Sequence, residues 1–333
     1  MKDIITIGSI TKDNFLEVDY EIIDWPKTPS RKAIVLPFGE KLEVKDTHSV
    51  LGGNSANASV TFSRLGFKTA CFGKIGSDLA GQEIKNWLKD EGVDPIFAIA
   101  KTKKTAQSTL LLKDGERTIL GYHGASNEWI ENDIPWGKLK AKWWYLSLAG
   151  SSSDFFVPLI KFAKESGIRV AFNPSGYQIK YKRQEILDNL KNIDFLVVNE
   201  GEAAELAGIS FEKEQEVFKK LDDLMPGIVA VTDGPNGVVV SDGKNIYRAG
   251  IFKENLVADR TGAGDAFGSG FTAGLMEFEK DFNSVEAIKH AIILGSANAT
   301  SVVEKIGATA GIISKDDLKD ARFANLDIII KKI

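Results

Sequence analysis

Short apolar, β-branched runs alternate with longer stretches of helical period along most of the chain. Such runs predict strands over residues 4–7, 69–72, 143–146, 169–172, 195–198, 228–231 and 238–241. The helical patterns between them cover 56–65, 81–91, 155–165, 185–190 and 213–224. Strand, helix, strand at this spacing means βαβ units, hence an α/β protein with a mostly parallel sheet and helices on both faces. Runs such as "FLVV" and "IVAVT" are apolar at every position, as expected when both faces of a strand are covered.

Two regions break the alternation. Residues 15–50 and 95–123 carry strand-like runs, "KAIVLP", "QSTLLL" and "RTILGY", with no helix between them. They predict either a small accessory sheet standing on the main body or extra edge strands of the one sheet. The last third changes character again. "GDAFGSGFTAGLMEF" (264–278) is apolar and rich in small residues, which predicts a buried helix whose glycines allow close packing despite their poor helix propensity. A second helix follows through "SVEAIKHAIILGSANATSVVE" and is expected to pack tightly on the first.

Composition narrows the class without naming it. With 333 residues, 43% hydrophobic and 26% charged, the chain is an ordinary globular protein of one large or two smaller domains. A net charge of −4 gives no basic face for nucleic acid, and no apolar run approaches the length of a membrane span. The opening "MKDIITIGSI" reads as a first strand and not as a signal peptide. The lone Cys71, in "TACFG", reads as a buried small hydrophobe and suits a reducing cytoplasm. Three scattered histidines and one cysteine speak against a zinc site.

The chemistry concentrates in "DRTGAGDAFGSGF" (259–271), a glycine loop bracketed by two carboxylates. A Walker loop is excluded, because no lysine lies between Thr261 and Lys280. Gly262, Gly264 and Gly268 are spaced G-x-G-x-x-x-G, which does not match the dinucleotide fingerprint. A plain glycine turn before a tightly packed helix is the unspecific reading. The specific reading starts a helix near Gly264. The amides of Gly262, Ala263 and Gly264 are then free to meet an anion, such as a phosphoryl group in transit. Asp265 stands beside that anion, where a carboxylate can take the proton of an attacking hydroxyl.

This segment resembles the C-terminal signature of the ribokinase, or phosphofructokinase-B, family of sugar and nucleoside kinases, usually met as D-T-x-G-A-G-D-x-F. "GGNSANASVTFSRLG" (52–66) resembles the family's N-terminal di-glycine segment. "GSITKD", "NP" at 173–174, "NEGEAAELAG" and "TDGPNGV" follow in the family's order, so the resemblance spans almost the whole chain. It implies a ribokinase-like three-layer α/β/α core in a single domain over 1–333. It also implies a small β-sheet lid made of insertions at about 13–50 and 95–123. By the same resemblance Asp265 is the base, and Gly262, Ala263 and Gly264 form the anion hole. Asp13 binds substrate hydroxyls, and Gly52, Gly53, Asn54 and Asn57 close over the sugar. Asn199 and Glu202 organise Mg2+, mainly through water. Thr232, Gly234 and Asn298 line the site of ATP, and Asp259 helps hold a monovalent cation such as K+. Arg260 departs from the commoner threonine or proline at its position, and Asn54 from a lysine found in some ribokinases. In several members the lids of two subunits pair, which makes a homodimer through the lid an expectation.

The implied reaction is transfer of the γ-phosphoryl group of ATP to an alcohol, with neutral ribose- or fructose-like sugars first among acceptors. A nucleoside would need an apolar wall, for which Phe15, Phe38, Tyr122 and Trp129 are candidates. A sugar phosphate would need a cation, for which Lys12, Arg31, Lys32 and Arg117 are candidates. A catalytically silent sugar- or nucleotide-binding regulator is the reading from outside enzymology.

Overall fold

The computed structural model describes the chain apart from Pro29, Asp114 and Gly115. These three lie in the helix-free regions of the sequence, so that part of the lid expectation falls outside the described residues. In chain order the strands are β1 (Lys2–Gly8), β2 (Thr11–Val18), β3 (Glu21–Asp24), β4 (Lys32–Val35), β5 (Val44–Gly52), β6 (Thr69–Gly76), β7 (Asp94–Ala100), β8 (Gln107–Lys113), β9 (Glu116–Tyr122), β10 (Ala141–Ser147), β11 (Arg169–Phe172), β12 (Phe195–Asn199), β13 (Ile228–Thr232), β14 (Val238–Ser241), β15 (Asn245–Ala249) and β16 (Ile328–Lys332). The α-helices are α1 (Asn54–Arg64), α2 (Leu79–Asp90), α3 (Phe156–Glu165), α4 (Gly176–Asn189), α5 (Glu200–Ala207), α6 (Glu214–Leu224), α7 (Ala263–Met276) and α8 (Val285–Val303).

The runs that are apolar at every position form the centre of a large sheet, ordered β16-β15-β14-β13-β12-β11-β10-β1-β6-β7 among the described residues. From β7 to β13 every pairing is parallel; β14, β15 and β16 are added antiparallel at one edge. Alternate residues divide between two faces. Ile5, Trp144, Phe172 and Leu196 meet α3, α4, α5 and α6 on one side. Ile4, Tyr145, Phe195 and Val197 meet α1, α7 and α8 on the other, where α2 also packs against Cys71 and Ile75. Each of these fully buried large side chains contributes about 1.5–3 kcal/mol, which is why the two-sided pattern decides the architecture. The result is the three-layer α/β/α fold expected from the sequence. No helix among the described residues is long and apolar enough to cross a membrane.

The accessory sheet is separate, in the order β5-β2-β8-β9. Its composition differs from the expected one in two respects. Residues 94–100 pair in parallel with β6 and belong to the large sheet, so the second helix-free region divides between the two sheets. "KAIVLP" goes to neither: among the described residues β4 pairs with β3 alone, in a two-stranded ribbon. Further along, α4 starts nine residues before the periodic segment at 185–190. Ser175 caps it by accepting from the Gln178 amide at 3.3 Å, and a non-helical Lys182 interrupts its period.

The glycines of α7 do what their spacing suggests. A Cβ on Gly274 would lie 2.6 Å from Ala291 Cα, and one on Gly270 would lie 3.0 Å from Gly295 Cα. Backbone thus meets backbone where α7 crosses α8. Gly274→Val should therefore destabilise the fold by about 1–3 kcal/mol through overpacking, outweighing the helix propensity gained. Urea unfolding monitored by circular dichroism measures this, and an unchanged midpoint would contradict the backbone contact.

Candidate active site

The site lies at the C-terminal ends of the parallel strands, where open α/β sheets leave a crevice. Its centre is the start of α7. Gly262 caps this helix with φ 80° and ψ 0°, a left-handed conformation, and a Cβ there would come 2.4 Å from Ala308 Cβ. Only glycine meets both conditions. No side chain among the described residues caps α7, and the Ala263 amide makes only a long bond, 3.5 Å, to Arg260 O; first-turn amides placed like this can turn to an anion. The preceding turn is pinned by Asp259, which is buried. Its Oδ1 accepts from the Thr261 amide at 2.9 Å and from Thr261 Oγ1 at 2.6 Å, and its Oδ2 accepts from the Gly307 amide at 3.1 Å. Arg117, on β9 of the small sheet, brings a guanidinium nitrogen to 3.6 Å from the same carboxylate.

Asp265 follows in the first turn of α7. Two neutral amides hold it. Asn57 Nδ2 of α1 donates to one carboxylate oxygen at 3.1 Å, and Asn173 Nδ2, just beyond β11, donates to the other at 3.4 Å. Burial pushes its carboxyl up to about 6; the Asn57 hydrogen bond opposes that rise, and the charges of Glu202 and Asp13 add to it. Among the described residues no cation pairs with it, so the group stays a usable proton acceptor near neutral pH. Asn57 Oδ1 is buried with no partner among the described residues and is free to accept from a bound hydroxyl.

Asn57 reaches this position because α1 is capped by Gly53, whose φ is 89° and whose Cβ would strike Ser9 O at 2.6 Å. Gly52 packs as closely on Asp13, where a Cβ would sit 2.1 Å from Oδ2. Asp13 itself is buried on β2, accepts from Thr11 Oγ1 at 2.8 Å, and has its carboxyl raised by burial. Asn54 opens α1 and shares a cavity of about 460 Å³ with Asn173, Glu202 and Asp265. Asn199 and Glu202 face the same cavity, and their N-x-x-E spacing serves a second purpose. Asn199 Oδ1 accepts from the Glu202 amide and Glu202 Oε2 accepts from the Asn199 amide, both at 2.9 Å, a reciprocal cap on α5.

A second cavity, of about 450 Å³, adjoins the first and shares Thr232, Gly234, Arg260, Ala263 and Gly264 with it. Its far wall is Phe267 with Ser296, Ala299, Thr300 and Val303 of α8. Asn298, expected in that wall, points into the core instead. Its Nδ2 donates to Thr61 Oγ1 and Ala266 O, and its Oδ1 accepts from the Ile313 amide, so both ends of the side chain are held by the protein. The true wall recurs at helical spacing along one face of α8, a signal present in "GSANATSVV". Asn173, the asparagine of "NP", joins the site through its bond to Asp265, a role that the dipeptide alone does not signal.

The alternative-acceptor residues lie elsewhere. Phe15 and Trp129 are buried, the latter 5.0 Å from Phe72 ring to ring, while Phe38 and Tyr122 are exposed. Lys12 pairs with Glu83 at 2.7 Å, Arg31 and Lys32 stand on the exposed β3–β4 ribbon, and Arg117 faces Asp259. Among the described residues no three His, Cys, Asp or Glu side chains converge into a metal cage.

Over residues 4–315 the sequence matches the pfkB family of carbohydrate kinases. It is 28% identical to the ribokinase of Lactococcus lactis over 296 residues, covering 87% of this chain and 91% of that one. The fold superimposes on a ribokinase from Giardia lamblia with a TM-score of 0.80 at 23% identity, covering 97% and 99% of the two chains. It does so on an Arabidopsis thaliana ribokinase complexed with ribose and ATP with a TM-score of 0.75 at 22% identity, covering 95% and 97%. With the glycine loop, the buried aspartate and the adjoining cavities in place, the chain belongs to the pfkB family of carbohydrate kinases.

Proposed function

We propose that this kinase transfers the γ-phosphoryl group of ATP to an alcohol of a small neutral sugar, ribose- or fructose-like. The observation that carries this reading is Asp265, held by two amides and no cation, beside the uncapped start of α7. The acceptor hydroxyl gives its proton to Asp265 as its oxygen attacks the γ-phosphorus. The amides of Gly262, Ala263 and Gly264 meet the charge that develops on the transferring group. Asp13 and Asn57 Oδ1 orient the sugar hydroxyls. Thr232 and Gly234 guide the nucleotide between the two cavities.

One carboxylate, Glu202, faces the reaction cavity on the side of Asn199, which suits a magnesium ion held chiefly by water and phosphate oxygens. A magnesium ion held there would neutralise charge on the nucleotide's phosphates. At Asp259 the fit is poorer. A monovalent cation would compete with Arg117 for Oδ1, so no step is assigned to K+.

A neutral acceptor is favoured because the cations considered for a substrate phosphate are engaged or distant, and none of the aromatics considered for a nucleobase lines the reaction cavity. A nucleoside acceptor ranks second and a sugar phosphate third. A silent binding protein is disfavoured, since neither Asp265 nor the loop glycines are lost. The small sheet acts as a lid of this single domain. It carries Asp13, ends at the Gly52 and Gly53 pivot, and excludes water that would otherwise be phosphorylated. Its strand β9 and the β3–β4 ribbon expose Ile119, Leu120, Ile22 and Trp25, an apolar surface suited to pairing with a second lid.

Asp265→Asn should lower kcat by about 10²–10⁴-fold while ADP still binds. A coupled ADP-release screen over pentoses, hexoses, nucleosides and hexose phosphates measures both the loss and the acceptor; undiminished turnover would remove Asp265 as the base. Because its carboxyl is pushed up to about 6, the proton acceptor is lost as pH falls below that value. The acid limb of kcat/KM should therefore drop about tenfold per unit below pH 6. Asn57→Leu removes the hydrogen bond that opposes the rise, so the limb should move to higher pH; a limb that stays in place would mean another group is titrating. The double variant Ile119→Glu, Leu120→Glu should convert a dimer to monomers in sedimentation velocity, and a wild-type chain that sediments as a monomer would refute the pairing.

A further inference from the structure

Arg260 is the residue of the glycine loop that the reaction described above leaves without a role. Its place in the fold is specific. It lies where the two cavities join, in the wall of both, and it is the only basic side chain in either wall among the described residues. The other charged residues in those walls are acids: Glu254 on one side, Glu202 and Asp265 on the other. Arg260 is exposed, and no carboxylate among the described residues lies within ion-pair distance of its side chain. Other arginines of the fold are engaged: Arg64 with Glu91, Arg248 with Glu214, Arg322 with Glu304 and Arg117 with Asp259. A guanidinium left unpaired at a junction lined with acids, in a chain of net charge −4, is a cation waiting for an anion from outside.

Resting on the reading of the site as a kinase, we infer that Arg260 binds the diphosphate of the nucleotide and holds it as it leaves. A nucleotide with its base against α8 and its γ-phosphate at the start of α7 must pass its β-phosphate across the shared wall. That wall offers Thr232, Gly234, Ala263 and Gly264, all uncharged, and Arg260. The guanidinium presents a planar fork of N–H donors that matches two phosphate oxygens at once. During transfer the bond from the γ-phosphorus to the β–γ bridging oxygen breaks, and its electron pair stays on ADP. A new bond forms to the acceptor oxygen, whose proton passes to Asp265. Negative charge thus accumulates on the β-phosphate, beside Arg260. The loop lacks the lysine of a Walker motif, and Arg260 supplies that missing charge from the opposite end of the same loop.

The test compares nucleotides that differ only in their phosphates. Titration calorimetry of the full-length wild type, Arg260→Gln and Arg260→Lys with adenosine, AMP, ADP and the non-hydrolysable analogue AMP-PNP separates the base from the diphosphate. Arg260→Gln should weaken ADP and AMP-PNP by roughly ten- to a hundredfold, the value of a charge-assisted pair, and leave adenosine and AMP unchanged. Arg260→Lys should recover part of the ADP affinity but less of kcat, since a point charge cannot match two oxygens. Wild-type affinity for ADP in Arg260→Gln, or an equal loss with all four ligands, would overturn the inference, as would a wild type that binds no nucleotide. A wild type that binds ADP through Arg260 yet phosphorylates no acceptor would instead overturn the proposed reaction and leave this assignment standing. Arg260 is exposed, so a matching thermal transition in the variants checks that folding is intact.

Discussion

The site depends on keeping one carboxylate both buried and unpaired by charge. A cation beside Asp265 would make it a weak base, and free exposure to water would return it to the ordinary carboxylate range. Two amide side chains solve the problem, because they satisfy its oxygens without bringing positive charge. Those amides come from α1 and from just beyond β11, 208 and 92 residues from Asp265 in sequence. The large sheet must therefore set the end of β11, the start of α1 and the start of α7 around one point. The parallel order of its strands places all their C-terminal ends on that side.

The helix that carries Asp265 is placed by equally strict contacts. Gly268 of α7 faces Tyr145, where a Cβ would come 2.6 Å from the phenol oxygen, and Gly274 lies against α8. Asn298 then ties α8 to α1 and to the first turn of α7 through Thr61 and Ala266. This residue fixes the backbone beneath the candidate site. Asp259 has a similar character on the other side of the loop. Its carboxylate joins the turn before α7 to Gly307 and, through Arg117, to the small sheet. The position of that sheet is thereby coupled to the shape of the glycine loop that opens α7.

Much of the fold was legible because its central strands are covered on both faces. Continuous apolar runs such as 195–198 and 228–231 leave little alternative to a buried parallel sheet, and the buried, glycine-rich α7 was equally plain. The misread segments share a physical cause. β7 is only partly buried at the sheet edge, so its sequence does not differ from that of an accessory strand. β4 belongs to a ribbon that is no more than half-buried, with Ile34 resting on Val18, Tyr20 and Leu111, which periodicity cannot distinguish from a strand in a sheet. α4 depends on a reciprocal cap at Ser175 and Gln178 and lacks a continuous apolar stripe.

The sequence by itself determined the chemistry: a glycine loop without a lysine, an aspartate at the first turn of a buried helix, and the ordered motifs around them. Those features are local, since an amide nest and a helix start are built from neighbouring residues. The tertiary structure alone decided which distant side chains complete the site. It chose Asn57 and Asn173 as the partners of Asp265, turned Asn298 into the core, and left Arg260 unpaired between two cavities. A side chain's role there depends on what stands opposite it, and that is settled by packing over hundreds of residues of chain.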